Sequence, residues 1–386
     1  MAEGLGLRKF LAPEFIFGDG ARRLAGRYAK NLGGRKILVV SDPGVVKAGW
    51  TKDVTDSLEE AGLPYVVFTA VTPNPKAGEV MAGVAFYQAE RCDALVAVGG
   101  GSPIDCAKGI GIVCSNKRHI LEFEGVDMVK SPMPPLICIP TTGGTSADVS
   151  QFAIISNPVE RVKIAIISKS VVPDIALIDP VTLTSMDPYL TACTGLDAMT
   201  HAIEAYVSTA RSSMTDLHAL EALRLLSTNL VPSIRNLHDQ ELRSNVMMGS
   251  LQAGLAFSNA ILGANHAMAH SLGGALDLAH GECNAILLDH VIEFNFASAP
   301  ERFERIAEAM GLDLRGRTLV QKKKLLLQHV RALKREAGVF RTLAEVGVGR
   351  GDVAIYSEHA LKDPCMATNP RRASKRDIEV VYEESL

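Results

Sequence analysis

The segment Ala94-Leu-Val-Ala-Val98-Gly99-Gly100-Gly101-Ser102-Pro103-Ile104-Asp105 sets the architecture expected of this chain. A short apolar run bounded by glycines reads as a strand buried on both faces, and Pro103 opens a helix that runs towards Val113. Three consecutive glycines allow close approach of a ligand. They also leave backbone N–H groups free at a helix start, a cradle suited to a pyrophosphate. The order is neither G-x-G-x-x-G nor a Walker loop, so a tight strand–helix turn is the plain alternative.

The same alternation continues on either side. Lys36–Val40 reads as a strand, Val46–Ala61 as a helix ending at Gly62, and Tyr65–Val71 as a strand. Thr72-Pro73-Asn74-Pro75 follows, then a helical run to Glu90, and Leu136–Ile139 is a further strand. Short apolar strands separated by helices predict a mostly parallel sheet covered on both faces. Gln151–Ser156 and Val162–Ser168, around Asn157-Pro158-Val159-Glu160, read as a hairpin inserted into that pattern, with Ile175–Ile178 as the last strand. Beyond about Asp187 the pattern turns helical, through Leu196–Val207, Leu217–Leu226, Leu242–Ala256 and Ile306–Met310. No run there requires a second sheet. Lys322–Lys324, beside Leu325–Leu327 and continuing to Arg335, read as the solvated face of an amphipathic helix. The expected organisation is an α/β domain with a parallel sheet over residues 1–185 and an all-helical domain over 186–386.

Composition narrows the function classes. The 386 residues allow two or three domains, and 40 Lys and Arg against 43 Asp and Glu leave a formal charge of −3. Nucleic acid therefore has no electrostatic foothold, and collagen, coiled-coil and low-complexity readings are excluded. Met1–Leu11 is short and mixed, and no long apolar stretch follows, so neither a signal peptide nor a membrane span is expected. Seven cysteines without a C-x-x-C pair suit a reducing compartment, with the cytoplasm as the default.

Two further features sit at strand ends. Asp42 follows the Lys36–Val40 strand, where a carboxylate can accept both hydroxyls of an adenosine ribose and repel a 2′-phosphate. The alternative is a helix N-cap or Asx turn. Pro140-Thr141-Thr142-Gly143-Gly144-Thr145 leaves the Leu136–Ile139 strand with hydroxyls and glycines able to hold a nicotinamide or phosphate oxygens. Two glycine-rich loops and an acid at strand ends together describe a dinucleotide crevice.

The helical half carries a different chemistry. Asp197 and His201 stand four apart, as do His266 and His270, each pair on one helix face. His280 lies past Gly273-Gly274, where the chain can turn back. Their neighbours are apolar, so a buried carboxylate among buried imidazoles needs a charged or metallic partner. One Asp and three His make a shell for Fe(II), Zn or a similar divalent ion, against the plainer reading of hydrogen-bonded core histidines. One histidine is in excess of four ligands. His270 could be a ligand, a supporting residue or a proton carrier.

At these residues the chain resembles the iron-containing (group III) alcohol dehydrogenase family, from Phe15–Gly18 almost to the C-terminus. The resemblance rests on Gly99-Gly100-Gly101-Ser102-Pro103-Ile104-Asp105, Pro140-Thr141-Thr142 and Gly195-Leu-Asp197-Ala-Met-Thr-His201-Ala-Ile-Glu-Ala-Tyr206. It continues in His266-Ala-Met-Ala-His270, His280-Gly281 and the tail Lys362-Asp-Pro-Cys-Met-Ala-Thr-Asn-Pro-Arg371. The resemblance implies a dehydroquinate synthase-like fold, with a Rossmann-like nucleotide domain, a helical metal domain and the active cleft between them. It implies Asp197, His201, His266 and His280 as metal ligands, and His270 as the non-ligand histidine of the substrate cleft, suited to proton relay. It implies NAD held at Asp42, Asn74, Gly99, Gly100, Gly101, Ser102, Asp105, Thr141, Thr142 and Lys163, and Fe(II), alternatively Zn, as the ion.

The implied activity is NAD-dependent interconversion of primary alcohols and aldehydes, with a small alcohol or aldehyde as substrate; a homo-oligomer, a dimer first, is the general expectation for a soluble enzyme. Glycerol or diol dehydrogenase on the same scaffold is the alternative, and a non-catalytic nucleotide-binding protein a remoter one. Two departures stand out. Gly143-Gly144-Thr145-Ser146-Ala147-Asp148 replaces the family's usual Ala-Gly-Thr-Gly-Ser-Glu, and Asn265 stands beside His266 where Val is commoner.

Overall fold

A computed structural model describes residues 8–386 of the chain. The expectation drawn from Met1–Leu11 falls largely on residues 1–7, outside the described residues. Nine strands are described: β1 (Glu14–Phe17), β2 (Ile37–Val40), β3 (Tyr65–Phe68), β4 (Ala94–Gly99), β5 (Gly125–Val126), β6 (Leu136–Pro140), β7 (Phe152–Asn157), β8 (Val162–Ile167) and β9 (Ile175–Ile178). Six of them form a parallel sheet in the order β1-β9-β6-β4-β2-β3.

The strands of that sheet read as unbroken apolar runs because both faces are covered. Residues alternate between two cores. Ile37, Val39, Val96 and Val98 pack against helices Ala25–Asn31 and Trp50–Glu60. Leu38, Val40, Leu95 and Ala97 face helices Ala77–Ala89 and Gly101–Asn116 on the other side. The chain runs outward from β2 to β3, then returns to lay β4 on the opposite side of β2. A crevice therefore opens at the carboxyl ends of β2 and β4, the usual ligand position in such sheets. The register pairs Val40 with Ala97, which sets Asp42 and the Gly99–Ser102 turn at that end.

Several local details differ from the sequence pattern. β1 is not among the strands expected above: its apolar run, Phe15-Ile16-Phe17, is only three residues long on a half-exposed edge, and its pairing with β9 makes it a strand. The helix expected over Val46–Ala61 is two helices, Pro43–Ala48 and Trp50–Glu60, divided at Gly49 with φ +91°. The inserted hairpin is β7–β8, antiparallel, and it forms a separate small sheet with β5.

After β9 the described chain holds helices and turns only. Helices Pro188–Val207, Ser213–Arg235, Gln240–Ala260, Ala264–Leu276 and His280–Asn295 build one continuous apolar core, flanked by Pro300–Ala309, Leu319–Glu336, Val353–Lys362 and Lys375–Glu384. Side chains of Asp187, Ser212, Asp239, Thr318 and Ser374 accept from backbone N–H groups at the helix starts they precede. Among the described residues no single helix is long and apolar enough to cross a membrane. A bent pair, Gln240–Ala260 and Ala264–Leu276, meets at 99° and belongs to the helical core.

One buried cation ties the glycine-turn helix to the hairpin. Lys108, with no exposed surface, donates from Nζ to the carbonyls of Ser150 at 2.9 Å and Phe152 at 2.7 Å. Lys108→Met would strand both carbonyls in the core, and it should cost roughly 2–5 kcal/mol of unfolding free energy by urea denaturation. A change below about 1 kcal/mol would contradict this role.

Candidate active site

The clustered residues come from three helices. On Pro188–Val207, Asp197, His201 and Glu204 follow one another at i, i+4 and i+7 on one face, and all three are buried. His266 and His270 occupy one face of Ala264–Leu276, and His280 begins the next helix. Gly281 lets that helix approach closely: a Cβ there would lie 2.6 Å from the Cys193 carbonyl oxygen. The approach brings His280 Nε2 within 3.7 Å of Asp197 Oδ1, while His266 Nε2 lies 3.5 Å from the same oxygen.

One donor atom from each of Asp197, His201, His266 and His280 lies within 4.8 Å of the others. The 3.5 and 3.7 Å separations are too long for good hydrogen bonds. They approach the edge, about 3.3 Å, of a tetrahedron with metal–ligand bonds of about 2.0 Å. The residues present therefore fit a divalent ion. The rings are held from outside as well: His201 stacks between Phe257 at 4.2 Å and His266 at 4.4 Å. Glu204 Oε2 sits 2.5 Å from His266 Nδ1, and its Oε1 accepts from the Asn265 N–H at 2.7 Å.

Protonation suits ligation at Asp197, His201 and His280. Burial alone would raise the Asp197 carboxyl, but the neighbouring His201, His280 and His266 rings outweigh it and hold the acid well below its usual range. Burial pushes His201 down to about 3 and His280 well below an ordinary imidazole. Burial opposes charge on His266 too, yet Glu204 and Asp197 push it up to about 9 in the metal-free chain. The site thus pairs an ionised carboxylate with neutral rings and one ring held by a carboxylate behind it.

The cluster forms one wall of a cleft lined from both halves of the chain. His201, His266, His270 and His280 line it together with Asn74, Gly101, Ser102, Asp105 and Lys163 from the sheet half. Phe152, Ile154, Phe257 and Leu262 supply apolar surface, with Phe152 and Phe257 edge to face at 5.5 Å. Lys163 Nζ donates to Asn74 Oδ1 at 2.7 Å, and Asn74 Nδ2 crosses between the halves to Asp277 Oδ1 at 2.7 Å. Burial raises the Asp105 carboxyl to about 7 against the opposing charges of Lys108 and Lys163.

Other expected residues border the cleft without lining it. Thr141 is buried and donates its backbone N–H to the Gly99 carbonyl at 2.9 Å. Thr142 packs against Gly100, whose added Cβ would meet its Cγ2 at 3.0 Å, and its buried Oγ1 has no partner among the described residues. Asp42 caps helix Pro43–Ala48 through Oδ1, accepting from Gly44 N at 2.7 Å and Val45 N at 2.9 Å. The plain alternative for this residue is thus realised, and it uses one carboxylate oxygen. Cys365 is buried away from the cleft lining. The unusual 143–148 loop is packed tightly, since a Cβ on Gly144 would lie 2.6 Å from the Thr194 carbonyl oxygen.

Three polar residues escaped the sequence reading. Glu204 could have been found as the third member of the Asp197–His201 face. Asn284, one turn after His280, donates from Nδ2 to Asp197 Oδ1 at 2.6 Å. Asp363 lies 2.8 Å from His270 Nδ1 across 93 positions of sequence, and no local pattern marks it.

Comparison with known proteins follows the same division of the chain. Residues 12–180 match the family described as "Iron-containing alcohol dehydrogenase", and residues 191–386 match "Fe-containing alcohol dehydrogenase family, C-terminal". The chain is 38% identical over 379 residues to a 1,3-propanediol dehydrogenase of Citrobacter freundii, covering 97% of this chain and 98% of that one. It is 34% identical over 377 residues to an NAD-dependent methanol dehydrogenase of Bacillus methanolicus, covering 98% and 99%. The crystal structure of a 1,3-propanediol oxidoreductase superposes with a TM-score of 0.96 at 36% identity, over 99% of this chain and 100% of that one. With both halves matched and near-complete coverage at these identities, the chain belongs to the iron-containing alcohol dehydrogenase family.

Proposed function

We propose that the protein interconverts primary alcohols and aldehydes, with NAD as hydride carrier and Fe(II), or Zn(II) in its place, held by Asp197, His201, His266 and His280. The observation that carries this reading is the convergence of that buried donor set on a cleft whose facing wall is the Gly101–Ser102 helix start. In this reading residues 1–185 bind the coenzyme and residues 186–386 the ion. When bound, the ion supplies Lewis acidity towards a substrate oxygen and NAD accepts the hydride.

The chain's own residues do the rest. Glu204 orients His266 from behind, which fixes the nitrogen it presents. Backbone N–H groups at Gly101 and Ser102, at a helix N-terminus, suit the coenzyme's phosphates. Gly99, Gly100, Thr141 and Thr142 shape the turn beneath them, while Asn74, Asp105 and Lys163 offer polar groups further along the cleft. Asp42 accepts ribose hydroxyls through the oxygen its cap leaves over. Phe152, Ile154, Phe257 and Leu262 exclude water from the reacting atoms. His270, on the same cleft, takes the proton released on alcohol oxidation. The likeness to a 1,3-propanediol dehydrogenase keeps diols among the substrates. Seven unpaired, buried cysteines favour a reducing compartment, in keeping with a cytoplasmic location.

The test is NADH formation from short primary alcohols and diols by protein stripped of metal and reloaded anaerobically with Fe(II) or Zn(II). Turnover should return with the ion, and His266→Ala should lose bound metal and turnover together. Folded, metal-loaded protein inactive on every alcohol, or a metal-free variant with normal rates, would overturn the reading. Asp42→Ser keeps a capping side chain while removing the charge. It should shift the ratio of kcat/KM for NADP over NAD upward by roughly tenfold, about 1.4 kcal/mol. An unchanged ratio would remove Asp42 from the ribose site.

A further inference from the structure

His270 carries a contact that the cleft does not explain. Its Nδ1 lies 2.8 Å from Asp363 Oδ2, and both side chains are buried. Asp363 is itself fixed in place. Its Oδ1 accepts from the Cys365 N–H at 2.8 Å and caps the short turn Pro364–Thr368. Burial would raise this carboxyl, but His270 and Cys365 outweigh it and hold it below its ordinary value. An ionised carboxylate can only accept, so the donor across this contact is the imidazole Nδ1–H. In a neutral ring the other nitrogen, Nε2, then carries the lone pair. The ring also stacks on His280, with centroids 5.3 Å apart and planes at 15°, which restricts its rotation.

We propose that Asp363 is the positioning residue that fixes His270 as its Nδ1–H tautomer and leaves Nε2 as the acceptor available to the cleft. The catalytic consequence rests on the dehydrogenase reading above; the tautomer does not. Without this contact the neutral ring could carry its proton on Nε2 and meet an alcohol hydroxyl with a donor, unable to accept its proton. Asp363 supplies this control from the far end of the chain, without touching substrate.

Asp363→Asn isolates the effect. Its carbonyl can stay on the Cys365 N–H, so the cap survives, while its NH₂ group turns a donor towards His270 Nδ1. In zinc-loaded protein with ¹⁵N-labelled histidine, NMR should show Nδ1–H on His270 in the parent and Nε2–H in the variant. The turnover number should fall on the order of 10- to 100-fold. The KM for NAD, the melting midpoint and one metal per chain should be retained. In a His270→Asn background the same substitution should cause no further loss. The proposal is overturned if the tautomer is the same in both proteins, or if the loss is undiminished when His270 is absent. It is also overturned if a second zinc equivalent binds and disappears with Asp363→Asn. That result would make His270, Asp363 and Cys365, whose donors lie within 4.8 Å of one another, a metal site instead. A parent protein inactive on all alcohols would defeat the dehydrogenase reading and leave the tautomer result standing.

Discussion

Asp197 is a buried carboxylate inside a helical core, and most of the surrounding architecture can be understood as accommodating it. An isolated charge in such a place would be untenable, costing several kcal/mol after relaxation. His201 reaches it from the same helix face, while His266 and His280 arrive from two consecutive helices further along the chain. Glu204 brings a second acid to the back of His266, so carboxylates lie on both sides of that ring. A shared divalent ion would resolve the remaining imbalance, with Asp197 and the three imidazoles as the residues to hold it.

The sheet half solves a different problem, which is to present backbone N–H groups opposite that cluster. The order of strands leaves a crevice between β2 and β4, and the β2–β4 register brings the glycine turn to it. Close approach then orders the wall. Gly100 and Gly101 lie tightly against the Thr142 and Thr145 side chains, and Gly144 lies against Thr194 on the helical side with no room for a Cβ. Lys108 anchors the start of the hairpin whose Phe152 and Ile154 face the histidines. Asn74, between Lys163 and Asp277, is one of the polar links that cross from one half to the other.

Much of this could be read from the chain itself. Continuous apolar strands separated by helices identified a parallel sheet, because a sheet covered on both faces needs no alternation. The spacing in Asp197-Ala-Met-Thr-His201 and His266-Ala-Met-Ala-His270 put pairs on helix faces, and the apolar neighbours forecast their burial. What remained hidden depends on contacts between distant segments. β1 is too short and exposed to announce itself and becomes a strand through β9. Asp363 meets His270 only after nearly a hundred residues of intervening chain, and Asn284 finds Asp197 because Gly281 permits two helices to touch. Asp42 is a case where local chemistry is ambiguous by nature, since the same carboxylate end can cap a helix and face a ribose.

Asp197, His201, His266 and His280 are expected to share one ion, and the role of the cleft depends on it. Diffraction from crystals of anaerobically iron-loaded protein, recorded on both sides of the iron absorption edge, would decide it. One anomalous peak per chain is expected, bounded by the Asp197 carboxylate and those three imidazoles, with His270 outside bonding distance. A peak elsewhere, or none in crystals shown to hold one iron per chain, would contradict it.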